Sequence, residues 1–392
     1  MGATQIIAIV VFVVVMVAIV TEKIHRALAA VVGAMVLLIL HVVSFDAAME
    51  HVDFNTLGVL LGMMLFVCLT AVLSALLDNV TTVLLIGPMT VTVCRLLDLD
   101  PLPFFLAEIM ASNIGGTATL IGDPPNIMIG SAAGLSFADF VMVDAPAAII
   151  CLIVMIGLFY LLFGRKFKVD EEHRRALMER DEREEIKNPT LLRQSVIMII
   201  LVTAGFMLHG SLGIESCVVA LTAAGILMLI SGERIEEALA HVEWTTLVFF
   251  AGLFIVVGAL SEVGVIGMLA QALIDVTGGS TFIAMLVLLI ASAIISSFLD
   301  NIPFVATMIP ILLSMEATGM DVMPLWWAVS LGACLGGNGT LIGASANVVM
   351  SDIAKKHGTE ITFMGFLKYG FPIMLVTIAV SAVYLVVRFP PM

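Results

Sequence analysis

Charged residues are scarce in this chain, and basic residues are the scarcest. Only 12% of the 392 residues are charged, with 17 Lys or Arg against 31 Asp or Glu and a formal net charge of −14. So little charge excludes an ordinary soluble domain, and so few bases exclude a nucleic-acid-binding surface. The chain is instead 61% hydrophobic, with a mean hydropathy of +1.16. Apolar runs near the roughly 20 residues that cross a hydrocarbon core recur along it, which predicts an all-α membrane protein in a lipid bilayer.

Clustered metal ligands and paired cysteines are also missing from the sequence. The cysteines stand singly within apolar segments, and the histidines fall in loops or near the ends of the apolar runs. Neither residue type shows the spacing of a metal site, and the cysteines do not form a disulfide framework. We therefore predict no metal site and no cofactor.

The few basic residues are unevenly distributed. Nine of the 17 Lys and Arg lie in residues 164–193, a mixed-charge segment with acids and bases three or four residues apart. The positive-inside rule places this segment in the cytoplasm, as a solvated helical linker. Counting outward from it predicts ten membrane crossings and two hairpins, and divides the chain into residues 1–163, the linker 164–193 and residues 194–392.

The two large parts contain matching segments in the same order. The matches are "HVDFNTL" (51–57) with "HVEWTTL" (241–247), "LLDNVTTVLLIGPM" (76–89) with "FLDNIPFVATMIPI" (298–311), and "GGTATLIGDPPN" (115–126) with "GGNGTLIGASAN" (336–347). Each part has five predicted crossings, an odd number, so the second copy lies upside down relative to the first. The sequence therefore predicts an inverted repeat with two re-entrant hairpins and two interrupted transmembrane helices, an arrangement typical of transporters.

The spacing of these matches is not constant along the chain. The "HV" segments are displaced by 190 residues and the "LDN" segments by 222, so 32 residues near 258–289 have no partner in the first half. The seam falls at Val67–Cys68. We interpret this seam as the position of a missing segment. If the segment exists in the protein but is absent from the structure, the Cα–Cα distance between Val67 and Cys68 should be longer than normal.

The two interruptions concentrate polar and helix-breaking residues inside apolar runs. Backbone freed by such a break in lipid needs partners, so breaks persist where protein or a water-filled cavity supplies them. Paired glycines permit close approach, and prolines limit how the helix resumes. The alternative is that small residues merely allow tight helix packing. The predicted substrate- or ion-binding residues are Asp78, Asn79, Asn113, Gly115, Gly116, Thr117, Thr119, Asp123, Asn126, Asp300, Asn301, Gly336, Gly337, Asn338, Thr340 and Asn347.

Acidic residues inside the apolar runs point to coupling ions. Asp78, Asp300, Asp123 and Glu108 have no Lys or Arg near them in sequence, and an unpaired charge deep in a membrane is costly. Each should be protonated, hydrogen-bonded or paired with a bound cation, and such oxygen-rich sites suit a proton or sodium. Alternatively, Asp78 and Asp300 cap hairpin turns, and Glu108 lies near the interface. Asp123 breaks the repeat, because its partner position holds Ala344.

"LLDNVTTVLLIGPM" followed by "LAEIMASNIGGTATLIGDPPNIMIG" resembles the ion transporter superfamily, in particular its group of arsenite permeases, NhaD-type sodium/proton antiporters and P-proteins. The resemblance implies a homodimer in a prokaryotic plasma membrane, with a transport part that moves as an elevator. It also implies hairpin tips at Asp78–Asn79 and Asp300–Asn301. These tips read "LDN" rather than the Ser-Asn-Thr of the divalent-anion symporters, which argues against di- or tricarboxylate transport.

These observations favour a secondary active transporter for a small inorganic anion or weak acid such as arsenite, coupled to protons or sodium, and not an enzyme. A sodium/proton antiporter is the alternative. A passive channel and an intramembrane aspartyl protease using Asp78 and Asp300 are lesser alternatives. The protease's Gly-x-Gly-Asp signature is absent, because "TLIGDPP" has Leu120 where the first glycine belongs.

Overall fold

The computed structural model describes residues 3–20, 26–44, 47–48, 54–163, 188–232, 236, 240, 242 and 244–391. All regular structure in these ranges is helical, which confirms the predicted all-α class. Most of the predicted linker (164–187) and parts of the "HV" segments lie outside the described residues. The helices are α1 (Ala3–Val20), α2 (Arg26–Ile39), α3 (Phe54–Leu76), α4 (Asn79–Leu96), α5 (Leu102–Thr117), α6 (Pro124–Ala133), α7 (Phe137–Phe163), α8 (Pro189–Leu212), α9 (Ser216–Ser231), α10 (Trp244–Glu262), α11 (Val265–Val276), α12 (Thr281–Phe298), α13 (Asn301–Ala317), α14 (Met323–Gly336), α15 (Ser345–Lys356) and α16 (Phe363–Arg388).

The chain forms two compact units, residues 1–58 and 59–392. In the first unit α1 and α2 pack against each other, with Gly33 facing the side chain of Val15. The second unit contains the main hydrophobic core, to which α5, α7, α12, α13, α14 and α16 all contribute buried side chains. The candidate site lies entirely within this second unit.

Several helices have the length and composition of membrane spans. Among the described residues five single helices qualify, and the bent pair α10–α11 makes a sixth if it is one span. The five are Asn79–Leu96, Phe137–Phe163, Pro189–Gly210, Thr281–Phe298 and Phe363–Arg388. Many apolar side chains point outward, including Leu221 and Leu229 of α9, as lipid-facing residues do. Together these features support an integral membrane protein, while ten crossings and the upside-down relation of the halves stay predictions.

The predicted seam lies inside a helix. Helix α3 runs without interruption through Val67 and Cys68. That the chain lacks a segment which a complete repeat would have remains a hypothesis.

Both predicted helix interruptions are present. Helix α5 ends at Thr117 and α6 begins at Pro124, and in the second half α14 ends at Gly336 and α15 begins at Ser345. Proline at the first position of α6 suits a helix start, because that position needs no backbone donor. The sequence predicted these two breaks from the glycines and prolines within them.

The helices of the two halves exchange partners around these breaks. Helix α6 of the first half packs on α13 of the second, while α15 of the second half packs on α4 of the first. The helices that precede the breaks, α5 and α14, also contact each other. This reciprocal packing brings both interruptions and both "LDN" turns into one region.

Candidate functional site

Asn113 of α5 joins the two interruptions directly. Its Nδ2 donates to Asn338 Oδ1 and to Asn347 Oδ1, each at 2.9 Å. Its own Oδ1 accepts from Asn79 Nδ2 at 3.3 Å, which adds the first "LDN" turn to the cluster. Asn113, Asn338 and Asn347 are fully buried. The structure therefore brings four of the predicted residues into a single amide cluster, which we call the asparagine centre: Asn79, Asn113, Asn338 and Asn347.

One asparagine closes each break in the same way. Asn126 Nδ2 donates to the carbonyl oxygens of Thr117 at 3.2 Å and Thr119 at 3.0 Å. Asn347 Nδ2 donates to the carbonyl oxygens of Gly337 at 2.7 Å and Thr340 at 2.9 Å. These bonds satisfy carbonyls that no longer have helical partners, as buried backbone requires.

A threonine ties each break to the neighbouring hairpin. Thr119 Oγ1 donates to the carbonyl oxygen of Ala75 at 2.6 Å, next to the first turn. Thr340 Oγ1 donates to the carbonyl oxygen of Ser297, next to the second turn. The predicted repeat pairs Thr119 with Thr340, so the two halves use the same side chain for the same bond.

The paired glycines permit this close approach. A Cβ atom at Gly336 would lie 2.7 Å from the carbonyl oxygen of Ala293 in α12. A Cβ at Gly115 would overlap the carbonyl oxygen of Ala71 in α3. Gly116 and Gly337 each face the second glycine of their own break, Gly122 and Gly343. These contacts give the predicted glycines a steric role beside the asparagine centre.

The aspartates of the two "LDN" turns are helix caps. Asp78 is the N-cap of α4 and accepts from Thr81 Oγ1 at 2.8 Å as well as from the Thr81 backbone. Asp300 is the N-cap of α13 and accepts from Ile302 N at 3.0 Å and from Ser345 Oγ at 2.9 Å. These contacts are those expected if the two aspartates cap helices, because all four of their carboxylate oxygens accept hydrogen bonds. Ser345 begins α15, so Asp300 also links the second turn to the second break.

Asp123 differs from the two capping aspartates. It is 1% exposed, and its Oδ2 accepts from Asn301 Nδ2 at 3.0 Å, across the two halves. Its Oδ1 has no hydrogen-bond partner within the described part of the chain. Asp78 and Asp300 lie near enough to act on it electrostatically. A buried carboxylate oxygen without a donor is the atom that a proton or a cation would occupy.

No basic side chain stands in the surrounding sequence to balance these acids. Residues 74–82, 108–130, 292–304 and 330–350, which form both breaks and both turns, contain no Lys, Arg or His. The described residues also show no group of three or more His, Cys, Asp or Glu placed to hold a metal ion. These breaks and turns thus offer amides, hydroxyls, carbonyls and the unpaired carboxylate oxygen Oδ1 of Asp123. Such a set binds polar solutes and hard monovalent cations, but has no cation of its own for an anion.

Two further buried acids adjoin this region. Glu108 of α5 is fully buried and accepts from Thr90 Oγ1 at 2.6 Å. Asp144 of α7 is also fully buried and bonds to Ser330, which bonds to Asn126. Neither Asp144 nor Ser330 was among the residues predicted from the sequence. The signal for Asp144 was an acid inside a long apolar run, "FVMVDAPAAII".

Two interrupted helices that meet at a buried polar centre in an apolar, all-helical chain define a membrane transporter. Comparison with known families agrees. The family CitMHS, described as citrate transporter, matches residues 16–68 and 65–332. The chain belongs to this family, which is part of the ion transporter superfamily.

Similar proteins occur in bacteria and mammals. A "46 kDa membrane protein" of Mycobacterium leprae is 40% identical over 424 aligned positions, covering 98% of this chain and 99% of that protein. An uncharacterised transporter of Mycobacterium tuberculosis is 40% identical, with the same coverage of both chains. The P protein of Mus musculus is 33% identical over 94% of this chain and 58% of its own length. These relatives confirm the resemblance to the P-protein group.

The matches also bear on the seam in α3. The two family matches meet at residues 65–68, where the repeat spacing predicts a missing segment. The alignment with the M. leprae protein is longer than this chain of 392 residues, so it includes positions that this chain lacks. Both facts support the hypothesis of a segment lost at Val67–Cys68.

Proposed function

We propose that this protein is a secondary active transporter that moves a small weak acid or anion, such as arsenite, together with or in exchange for protons or sodium. The proposal depends chiefly on Asn113, whose amide nitrogen touches both asparagines of the opposite break. A solute that enters between the breaks would take over these amide contacts. Because the breaks contain no lysine or arginine, the site does not require the solute to be an anion.

The charge of the site selects among solutes. An anion in a buried site lined by acids needs a bound cation, whereas a neutral acid does not. Arsenite is largely the neutral acid at pH 7, which suits amide and carbonyl ligands. The family is described as citrate transporter, so citrate is a second solute to test. Citrate would need several cations or protons beside it, given the acids at residues 78, 123 and 300.

Sodium/proton exchange is the alternative function. The observation in its favour is Asp123 Oδ1, a buried carboxylate oxygen with no donor among the described residues. Asn301, whose amide nitrogen donates to the other oxygen of Asp123, has a side-chain oxygen of the type that sodium prefers. In this alternative the ions are the only cargo, and protons and sodium compete for the same carboxylate.

The resemblance to the superfamily supports two further parts of the proposal. We propose that the protein forms a homodimer and moves its solute by an elevator motion of the region that holds both breaks. The exposed apolar faces of α8, α9 and α10 would then meet lipid or the second protomer. We also propose that residues 164–193 face the cytoplasm of a prokaryotic cell.

Uptake into proteoliposomes tests the function. Purified protein is reconstituted, and the uptake of labelled arsenite, citrate and sodium is measured under imposed proton or sodium gradients. We expect gradient-stimulated accumulation of arsenite or citrate. Sodium uptake driven by a proton gradient alone, with neither solute transported, would establish the antiporter instead. Equal rates with and without gradients would contradict both and point to a channel.

A further inference from the structure

A buried acid outside the predicted site is connected to the first helix break. Asp144 of α7 is fully buried, and its Oδ2 lies within hydrogen-bond distance of Ser330 Oγ in α14. The same Ser330 Oγ lies 2.9 Å from Asn126 Oδ1. The other carboxylate oxygen, Asp144 Oδ1, has no hydrogen-bond partner among the described residues. Three helices, α7, α14 and α6, are thereby joined through one hydroxyl group.

The number of hydrogens decides how this connection works. Asn126 directs its amide group at the carbonyl oxygens of Thr117 and Thr119, which accept only, so its Oδ1 must be the atom that faces Ser330. An amide oxygen is also only an acceptor, hence Ser330 must donate its single hydrogen to it. Ser330 then has no hydrogen left for Asp144. The bond between Asp144 and Ser330 can form at the same time only if Asp144 is protonated and donates.

We propose that Asp144 is a proton-binding residue whose proton controls the support of the first break through Ser330 and Asn126. With the proton bound, the hydrogen bonds run from Asp144 to Ser330 to Asn126, and from Asn126 to the break. When the proton leaves, the charged carboxylate takes the hydrogen of Ser330. Asn126 Oδ1 then keeps only the weak thiol donor Cys334, at 3.4 Å. The proposal rests on the proposed function, because it gives the coupled proton a place outside the solute site.

The surroundings of Asp144 contain no basic group that would hold its charge. The helices packed on α7 are α5, α8, α14 and α16. Their titratable side chains that act on this part of the molecule are Cys334 of α14 and Tyr384 of α16, which donates to the Val143 carbonyl at 2.7 Å. Glu108 of α5 bonds instead to Thr90 of α4. His209 of α8 bonds to the start of α7 at Phe137, and Arg388, at the end of α16, acts on Tyr384. Within the described residues none of these groups forms an ion pair with Asp144. The Asp144 carboxylate therefore becomes neutral by binding a proton.

Asp144 has no equivalent acid in the helix at the corresponding place of the second half. Helices α7 and α16 each follow the helix that resumes after a break, and both contain an internal proline, Pro146 and Pro372. Asp144 stands two residues before Pro146, and Gly370 stands two residues before Pro372. A Cβ at Gly370 would lie 2.5 Å from the carbonyl oxygen of Asn338, so that half has no room for an acid. The second half therefore has no acid at the position that corresponds to Asp144.

Infrared difference spectroscopy of the purified protein tests the proposal. We expect a carboxylic-acid C=O stretching band near neutral pH that disappears in Asp144→Asn. Glu108→Gln is the matched control, because it removes another buried acid and should leave this band in place. In Ser330→Ala the band should persist at a shifted frequency, since Asp144 loses its acceptor. A spectrum that is the same in Asp144→Asn and wild type, or no shift in Ser330→Ala, would overturn the proposal.

Transport in proteoliposomes provides the second readout. Asparagine at residue 144 donates to Ser330 as the protonated acid does, so Asp144→Asn should retain exchange of solute at equilibrium and lose stimulation by a proton gradient. Wild-type stimulation in this variant would contradict the proposal. If the wild-type protein transports none of the solutes tested, the proposed function fails, and the infrared comparison still decides whether Asp144 holds a proton.

Discussion

The amide nitrogen of Asn113 lies 2.9 Å from the side-chain oxygen of Asn347, and this contact joins one interrupted helix to the other. The two residues are 234 positions apart in sequence. Asn347 lies in a segment that sequence matching pairs with the first half, and Asn113 stands two residues before its partner segment, 115–126. The contact places both breaks at one buried centre, from which the following predictions derive.

Asn113→Asp should abolish transport. The substitution keeps the shape of the side chain but replaces the donor that faces Asn338 and Asn347 with an acceptor. A buried group left unsatisfied costs about 1–3 kcal/mol, and about 1.4 kcal/mol corresponds to a tenfold change in an equilibrium constant. We expect initial uptake rates to fall about tenfold or more. The control is Asn188→Asp at the N-cap of α8, where Asp accepts the Leu191 backbone bond as Asn does, and uptake should be unchanged. Equal rates in both variants would remove Asn113 from the mechanism.

Asp123→Asn should remove cation dependence. Asn301 can still donate to the new amide oxygen, but a nitrogen donor then occupies the position of the free oxygen. We expect the dependence of uptake on the sodium gradient to vanish, with the protein still monodisperse on size-exclusion chromatography. Asp321→Asn is the matched control, because Asp321 is an exposed residue before α14 that accepts a hydrogen bond from Met323 N, and an asparagine oxygen can accept the same bond. An unchanged gradient dependence in Asp123→Asn would show that the cation binds elsewhere.

Gly336→Ala should destabilise the protein. The added methyl group would meet the Ala293 carbonyl at 2.7 Å, which forces α12 and α14 apart at the second break. Gly157→Ala in α7 is the control, because no atom lies within 4 Å of the position that its methyl group would take. Alanine is favoured over glycine within a helix by about 1 kcal/mol, so the control should be neutral or stabilising. Thermal unfolding in detergent measures both. A melting temperature of Gly336→Ala at or above that of wild type would contradict the close approach.

Thr119→Val and Thr340→Val should have similar effects. Each removes the bond to the carbonyl of an adjacent hairpin, at Ala75 or Ser297, and also the bond that the same hydroxyl accepts from the backbone of its own break. The expected loss of stability is about 1–3 kcal/mol for each. Thr203→Val in α8 is the control, because Thr203 bonds only within its own helical turn. A large loss in one variant and none in the other would show that the two halves do not share this bond.

The sequence predicted the two helix breaks, because these depend on residues that change the conformation and hydrogen bonding of the backbone. Glycine pairs and Pro124–Pro125 mark the breaks because they change what the backbone can do, and the matching segments showed which residues pair. These features are local or repeated, and both kinds of signal are visible in a single sequence. The match pairs Thr117 with Asn338, and the contact of Asn113 with Asn338 was found only in the structure.

Other parts of the site could not be predicted in this way. Whether Asp78 caps a helix or binds an ion depends on the orientation of its side chain, and the motif "LDN" fits either. Asp144 was overlooked because it has no counterpart in the second half and no motif around it. Its partner Ser330 is 186 residues away, so the connection is visible only in three dimensions.

The most direct test of the shared site is the binding of the transported solute to Asn113→Asp, Asn347→Asp and the double variant. Isothermal titration with the solute identified by uptake gives both affinity and stoichiometry. If the breaks form one site, wild type binds one solute per protomer, either single change abolishes binding, and the double change adds nothing. Binding of two solutes per protomer, or wild-type affinity in either single variant, would contradict the account.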